Sequence, residues 1–293
     1  MAGFHSVFRR GIFRDQVIFV TGGGSGIGRC TAHELAHLGA TVVIAGRRRG
    51  ALEQTVAEIA EQGGRADAIQ LDIRDDERVE AAFEELLERH GRLDGVFNNA
   101  GGTFGAPAAE MKPKGFRAVT QLNLSSAFTM CRAAYQHFMG ENGGVIVNML
   151  GDFSTGFPTV AAASAAGMGV ENLSRSLALE WCTAGIRVNS VAPGYILSSG
   201  MVAMDRHVQD SAAEVMGSLP LGRLGTESEI SAAAVFLLSP AAAYITGETI
   251  TIAGGSQLQK PRPMPVGGMP RTRPFNGFHL RPNLAGSLFE EMM

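Results

Sequence analysis

Cysteine is scarce in this chain of 293 residues. There are three thiols, Cys30, Cys131 and Cys182, with no CxxC pair and no metal-ligand spacing. That argues against a disulfide scaffold or a zinc cluster and leaves free thiols in a reducing compartment. Long apolar runs are missing too, and none approaches the roughly 18 residues of a membrane span. The opening stretch MAGFHSVFRRGIF has basic residues but no apolar core or cleavage site, so no signal peptide is expected. Neither sign of charge dominates: a net charge of −3 gives no general attraction to nucleic acid or an anionic membrane. These absences predict a soluble, cytoplasmic protein with no metal, no nucleic-acid partner and no membrane partner.

Glycine, by contrast, is plentiful, and many of the 38 glycines follow short apolar runs, as where strands turn tightly into helices. Strands are expected over 17–20, 41–45, 68–71, 96–97, 145–149, 188–191 and 249–252. Amphipathic helices are expected over 26–38, 51–61, 75–90, 116–139, 164–180 and 227–238. Alternation sustained this long predicts an α/β fold, a single doubly wound Rossmann domain with a mostly parallel sheet of seven strands. Strands buried on both faces read as near-continuous Val/Ile runs, as these do. The domain is expected over 15–259, after an N-terminal arm of 1–14. The remaining tail, 260–293, carries Pro261, Pro263, Pro265, Pro270, Pro274, Pro282 and four arginines, which excludes regular structure over most of it.

The first chemical motif is Thr21-Gly-Gly-Gly-Ser-Gly-Ile-Gly28, placed between a strand and a helix. A pyrophosphate needs backbone N–H groups and a helix N-terminus at close range, and glycine lets the backbone approach it. Gly22, Ser25, Gly26, Ile27 and Gly28 are the expected cradle. The second strand then ends at Gly46, where an acidic residue would hold a ribose 2′-hydroxyl, and Arg47 and Arg48 follow. A guanidinium matches a phosphate bidentately, so these two arginines point to a 2′-phosphate and to NADP(H). His33 and His37, one helical turn apart, have the spacing of a two-histidine metal site, but no third ligand is evident and a solvated pair is expected.

The TGxxxGxG spacing resembles that of the short-chain dehydrogenase/reductase family. Further matches follow in order over about residues 10–256: Asp72-Ile73, Asn98-Asn99-Ala100-Gly101, Asn123 in Gln-Leu-Asn-Leu, Pro193-Gly194 and Ser198. The resemblance implies that Asp72 and Ile73 flank adenine. It sets Asn99, Ala100 and Gly101 on the ribose side, and Pro193, Gly194, Ile196 and Ser198 toward the nicotinamide. It also implies a homo-oligomer, a dimer or tetramer, for which the Ala/Gly-rich 161–170 stretch allows close helix approach.

The family's usual chemistry uses a Ser and a YxxxK pair. Counting back from Ser174-Arg-Ser-Leu-Ala-Leu-Glu180, those positions are Leu150, Ala163 and Gly167, and no tyrosine lies between Tyr135 and Tyr195. Hydrogen and alkyl side chains cannot transfer protons. The 151–181, 237–243 and 194–201 stretches look most like peroxisomal trans-2-enoyl-CoA reductases, 2,4-dienoyl-CoA reductases and bacterial citronellol/citronellal dehydrogenases, which also lack the usual YxxxK. The resemblance therefore implies reduction of a conjugated C=C, or of a related carbonyl group, in an apolar acyl or terpenoid substrate. Asn123 is the one residue of the usual set that stands, and Asp152, Ser164 and Tyr195 are the candidate substitute groups, with Asp152 the first choice as proton donor or acceptor. Phe153, Phe157, Val160 and Tyr195 are the expected pocket walls. Two other readings stand beside this one: a catalytically inactive NADP(H)-binding subunit or sensor, and a fold repurposed for elimination, decarboxylation or cyclisation.

Overall fold

A computed structural model describes residues 5–198, 216, 219–258, 275 and 277. Expectations falling on 1–4, on 199–201 and on the tail apart from Phe275 and Gly277 lie outside the described residues. The main strands are β1 (Val17–Thr21), β2 (Thr41–Gly46), β3 (Arg65–Gln70), β4 (Gly95–Asn98), β5 (Gly144–Met149), β6 (Ile186–Pro193) and β9 (Thr249–Ile252). They form one seven-stranded sheet in the order β3-β2-β1-β4-β5-β6-β9, and every pairing is parallel. Two short strands, β7 (Ile196–Leu197) and β8 (Gly225–Thr226), pair beside it.

Alternate residues of β1 enter opposite cores. Val17 and Phe19 pack with Phe83, Met130 and Trp181 on one face, while Ile18 and Val20 pack with Leu35, Ile44 and Val235 on the other. The helices that cover the faces are α1 (Gly26–His37), α2 (Arg49–Glu61), α3 (Asp76–His90), α4 (Pro113–Thr120), α5 (Ser126–Ala134), α6 (Gly140–Asn142), α7 (Ala161–Trp181) and α8 (Glu227–Leu238). Their ends follow local chemistry. Asp75 caps α3 by accepting from the Arg78 amide at 3.0 Å. Thr226 and Glu229 form a capping box at the start of α8. The chain order reverses between β1 and β4, so the crevice lies at the carboxyl ends of those strands.

Four local expectations change. Strand β3 starts at Arg65, not 68, because an edge strand can carry polar residues such as Arg65 and Asp67 along its ladder with β2. The helix expected over 116–139 begins at Pro113 and ends at Asn142, with wide π turns at Gln121–Ser125 and Tyr135–Met139. Ser164 does not open its helix: Val160 is the N-cap of α7, and the Ser164 amide donates to the Val160 carbonyl at 2.9 Å. His33 is not solvated either. It is 4% exposed, with Nε2 3.3 Å from the Glu58 carboxylate that Arg29 also binds. Among the described residues no group of three or more His, Cys, Asp or Glu could hold a metal, and no helix is long and apolar enough to cross a membrane.

Candidate active site

The loops after β1 and β4 are knitted together. Thr21 Oγ1 accepts from the backbone amides of Asn99 at 3.0 Å and Ala100 at 2.9 Å, and Asn99 Nδ2 donates to the Thr21 carbonyl at 2.8 Å. This packing leaves no room for side chains in the Gly-rich turn: a Cβ on Gly28 would lie 2.5 Å from Asn99 Nδ2, and one on Gly22 would lie 2.7 Å away. Gly22 and Gly26 also adopt φ of 70° and 59°, which favours glycine. Ser25, the N-cap of α1, makes no side-chain cap bond. Its Oγ accepts from Arg48 Nη2 at 3.3 Å.

Beyond β2, Arg47 and Arg48 are exposed. A Cβ on Gly46 would meet only a Leu52 methyl, at 3.5 Å, so the end of β2 is open. Asp72 is held by Arg74 through two bonds of 2.9 and 2.5 Å. The hydrogen bond from Arg74 keeps this carboxyl below the usual carboxylate range. A turn that needs glycine at Gly22, Gly26 and Gly28, a helix N-terminus without first-turn acids and exposed cations fit a dinucleotide.

A cleft of about 240 Å³ opens at the ends of β1, β4 and β5. Ile73, Asn99, Ala100, Gly101 and Asn123 line it, and so do Leu150, Ala163 and Gly167. The end of β5 and the first turns of α7 thus meet at the cleft, and all three positions are apolar. Asn123 sits in the first π turn, and its amide is committed to the backbone. Nδ2 donates to the Gly102 and Val119 carbonyls, both at 2.8 Å, and Oδ1 accepts from the Gly102 amide at 3.1 Å.

The remaining candidates are not among the described residues that line this cleft. The Asp152 carboxylate accepts from Ser154 Oγ at 3.2 Å and Ser256 Oγ at 3.0 Å, beyond the ends of β5 and β6. Tyr195 is half-buried, and burial together with the Asp152 charge raises its phenol above the usual range. Its ring lies 6.0 Å from that of Phe157, whereas Phe153 and Val160 pack with Met111, Val119, Ala162 and Ala163. The four expected walls therefore belong to two separate groups. Gly194 packs against Ala253, which a Cβ would approach to 2.7 Å, and Ile196 is buried in β7.

Sequence reasoning missed a buried polar chain beneath the cleft. Asn98 Nδ2 donates to Asn148 Oδ1 at 2.8 Å, Asn148 Nδ2 to Ser174 Oγ at 2.9 Å, and Ser190 Oγ to Ser174 Oγ at 2.9 Å. Ser174 Oγ in turn donates to the Val170 carbonyl at 2.8 Å. The chain ties β4, β5 and β6 to α7. Its one legible signal is an asparagine inside the Val-Ile-Val-Asn-Met run of a central strand.

Residues 22–257 match the enoyl-(acyl carrier protein) reductase family. The chain is 40% identical over 246 residues to a probable 2,4-dienoyl-CoA reductase of Bacillus subtilis, covering 83% of this chain and 97% of that one. Among solved structures it resembles a citronellol catabolism dehydrogenase of Pseudomonas aeruginosa, with 45% identity, a TM-score of 0.78 and coverage of 86% and 98%. It also resembles a putative NAD(P)-dependent gluconate 5-dehydrogenase of Beutenbergia cavernae with bound NADP, with 37% identity, a TM-score of 0.78 and coverage of 84% and 98%. With the parallel sheet, the Gly-rich turn and the crevice between β1 and β4, these likenesses establish that the chain belongs to the short-chain dehydrogenase/reductase family of oxidoreductases.

Proposed function

We propose that the protein is an NADP(H)-dependent reductase of a conjugated C=C bond, or of a related carbonyl group, in an apolar acyl or terpenoid-like substrate, and that it works without a Tyr–Lys pair. One observation carries this reading: the Gly-rich turn adjoins a cleft that has only hydrogen or alkyl side chains at Gly167, Leu150 and Ala163. Gly22, Ser25, Gly26, Ile27 and Gly28 would cradle the pyrophosphate, with Arg47 and Arg48 on the 2′-phosphate and Asp72 and Ile73 beside adenine. Asn99, Ala100, Gly101, Pro193, Gly194, Ile196 and Ser198 would complete the ribose and nicotinamide side. Bound NADPH supplies hydride.

Hydride addition to the β-carbon of an enoyl group leaves negative charge on the carbonyl oxygen, which needs stabilisation more than it needs a strong acid. Asp152 and Tyr195, at the ends of β5 and β6 and outside the lining of the cleft, are the titratable groups proposed to supply the proton. Asp152→Asn is expected to abolish turnover, and undiminished activity in that variant would remove Asp152 from the mechanism. Lys112, Lys114 and Arg117 are exposed at the start of α4. No ion pair engages them among the described residues. They stand beside Phe104, whose ring covers Gly115 and which follows the cleft residue Thr103. A phosphate-bearing thioester suits this rim better than a neutral terpenoid does.

The expected oligomer would form through α5 and α7, where Phe128, Met168 and Leu179 are exposed. A second reading, an NADP(H)-holding subunit without turnover, is favoured by the Asn123 amide, whose hydrogen bonds are spent on Gly102 and Val119. One experiment separates the two. The pure protein is titrated with NADPH and NADH by fluorescence, then enoyl-CoA thioesters and unsaturated aldehydes are added while NADPH absorbance is followed. Tight NADPH binding with consumption supports the reductase, tight binding without consumption supports the subunit, and no binding overturns both.

A further inference from the structure

The cleft has an interlock that the alkyl replacements alone do not explain. Phe153, on the loop after β5, lines the cleft, and its ring sits where two side chains would otherwise begin. A Cβ on Gly151 would lie 2.6 Å from Phe153 Cε2, and one on Gly167 would lie 2.7 Å from Cδ2. Gly167 is inside α7, where glycine is unfavourable relative to alanine unless something needs the space. The ring also packs against the cluster of Val119, Ala162 and Ala163. With the ring so placed, neither residue 151 nor residue 167 has room for a Cβ. A long side chain reaching the cleft from residue 167 and a ring at residue 153 exclude each other.

We infer that Phe153 is the specificity-determining residue of the cleft: its ring, seated on Gly151 and Gly167, replaces a polar α7 side chain with an apolar platform. The platform selects a flat, unsaturated hydrocarbon chain and disfavours a polyhydroxylated one, because a hydroxyl against the ring would lose its hydrogen bonds to water. A longer apolar chain takes more surface out of water against the ring than a short one does. The ligand class rests on the reductase reading, whereas the interlock stands independently of it.

Two measurements test the inference. In the first, NADP⁺-loaded wild type, Phe153→Ala and Phe153→Leu are titrated by calorimetry with crotonyl-CoA, trans-2-decenoyl-CoA and gluconate. The wild type is expected to favour the ten-carbon thioester at least tenfold over crotonyl-CoA and to bind gluconate least. Phe153→Ala should shrink that ratio severalfold, and Phe153→Leu should keep part of it. An unchanged ratio in Phe153→Ala overturns the assignment of specificity. In the second, Gly167→Ala is made with and without Phe153→Ala, and the melting temperatures are compared. The methyl should lower Tm when the ring is present and raise it when the ring is absent. An equal shift in both backgrounds overturns the interlock and, with it, the proposal. If the wild type binds none of the probes, the reductase reading falls and the thermal cycle alone decides whether ring and glycines are coupled.

Discussion

At the scale of single residues, the proposed preference for NADPH rests on two arginines. Arg47 lies just past the open end of β2, and Arg48 already reaches Ser25 in the phosphate turn. A charge-assisted bond to phosphate is roughly twice as strong as a neutral one. Arg47→Ala should therefore raise the NADPH Kd by roughly tenfold to a hundredfold, on about 1.5–3 kcal/mol for such a bond, and leave the NADH Kd nearly unchanged. Fluorescence titration with both nucleotides measures this, and equal weakening of the two would refute a 2′-phosphate contact. The thiols separate just as sharply. Cys30 and Cys131 are buried, and burial pushes both thiols up, Cys131 to about 12. Cys182 is exposed. Because the thiolate is the reactive form, a disulfide reagent should titrate Cys182 alone in the folded protein and all three cysteines after unfolding. Fast labelling of more than one thiol in native buffer would contradict this.

At the scale of elements, the contact between α1 and α2 carries a pH dependence. Burial, reinforced by the Arg29 charge, holds the His33 imidazole down at about 4 against its ordinary 6.5. Glu58 is pushed up by burial, but the hydrogen bond and charge of Arg29 outweigh that and keep it low. The lowered histidine means that its contribution to stability is complete above pH 6.5. As pH falls from 6.5 towards 4, the unfolded chain takes up a proton that the folded chain refuses, so stability drops. The lowered Glu58 adds a loss in the same direction on further acidification. Denaturant unfolding at pH 7, 5.5 and 4.5 should show this decline, and His33→Gln should flatten the part between 6.5 and 4. A parallel decline in that variant would locate the dependence elsewhere. The capping box of α8 makes a second element-scale prediction. Thr226 Oγ1 accepts from the Glu229 amide and donates to the Phe275 carbonyl at 2.8 Å. Thr226→Ala should cost about 1–2 kcal/mol, read as a fall in Tm, whereas Thr226→Ser should restore most of it.

The whole molecule adds what no single element has. Phe275 and Gly277 of the proline-rich tail meet the body at two places: the start of α8, through Thr226 and Glu229, and His5 near the N-terminus. Removing 260–293 deletes these contacts and should lower Tm by a few degrees, on the scale of roughly 2–4 °C per kcal/mol for a domain of this size. Gel filtration and NADPH titration of the truncated protein then report whether the tail also serves the oligomer or the cofactor. Identical melting, mass and affinity would show that the tail carries none of the three.

Much of this was legible in the chain because it depends on local rules. The alternation of Val/Ile runs with amphipathic stretches determined a doubly wound parallel sheet, since strands covered on both faces must read as apolar throughout. The Gly-rich turn was legible because only glycine allows its φ and its contact with Asn99, and the arginines after β2 because charge at a strand end is a one-residue signal. Tertiary structure alone decided the rest. Asp152 faces Ser154 and Ser256, and Phe157 with Tyr195 separates from Phe153 with Val160, because the loops after β5, β6 and β9 converge in an order that sequence spacing does not encode. His33 looked solvated on its helix, yet it is buried because α2 supplies Glu58 from a different segment. Most telling is Gly167, which in sequence is only a missing lysine. The fold places it against the ring of Phe153, fourteen residues earlier, because the loop after β5 returns over α7, and two atoms cannot share one volume.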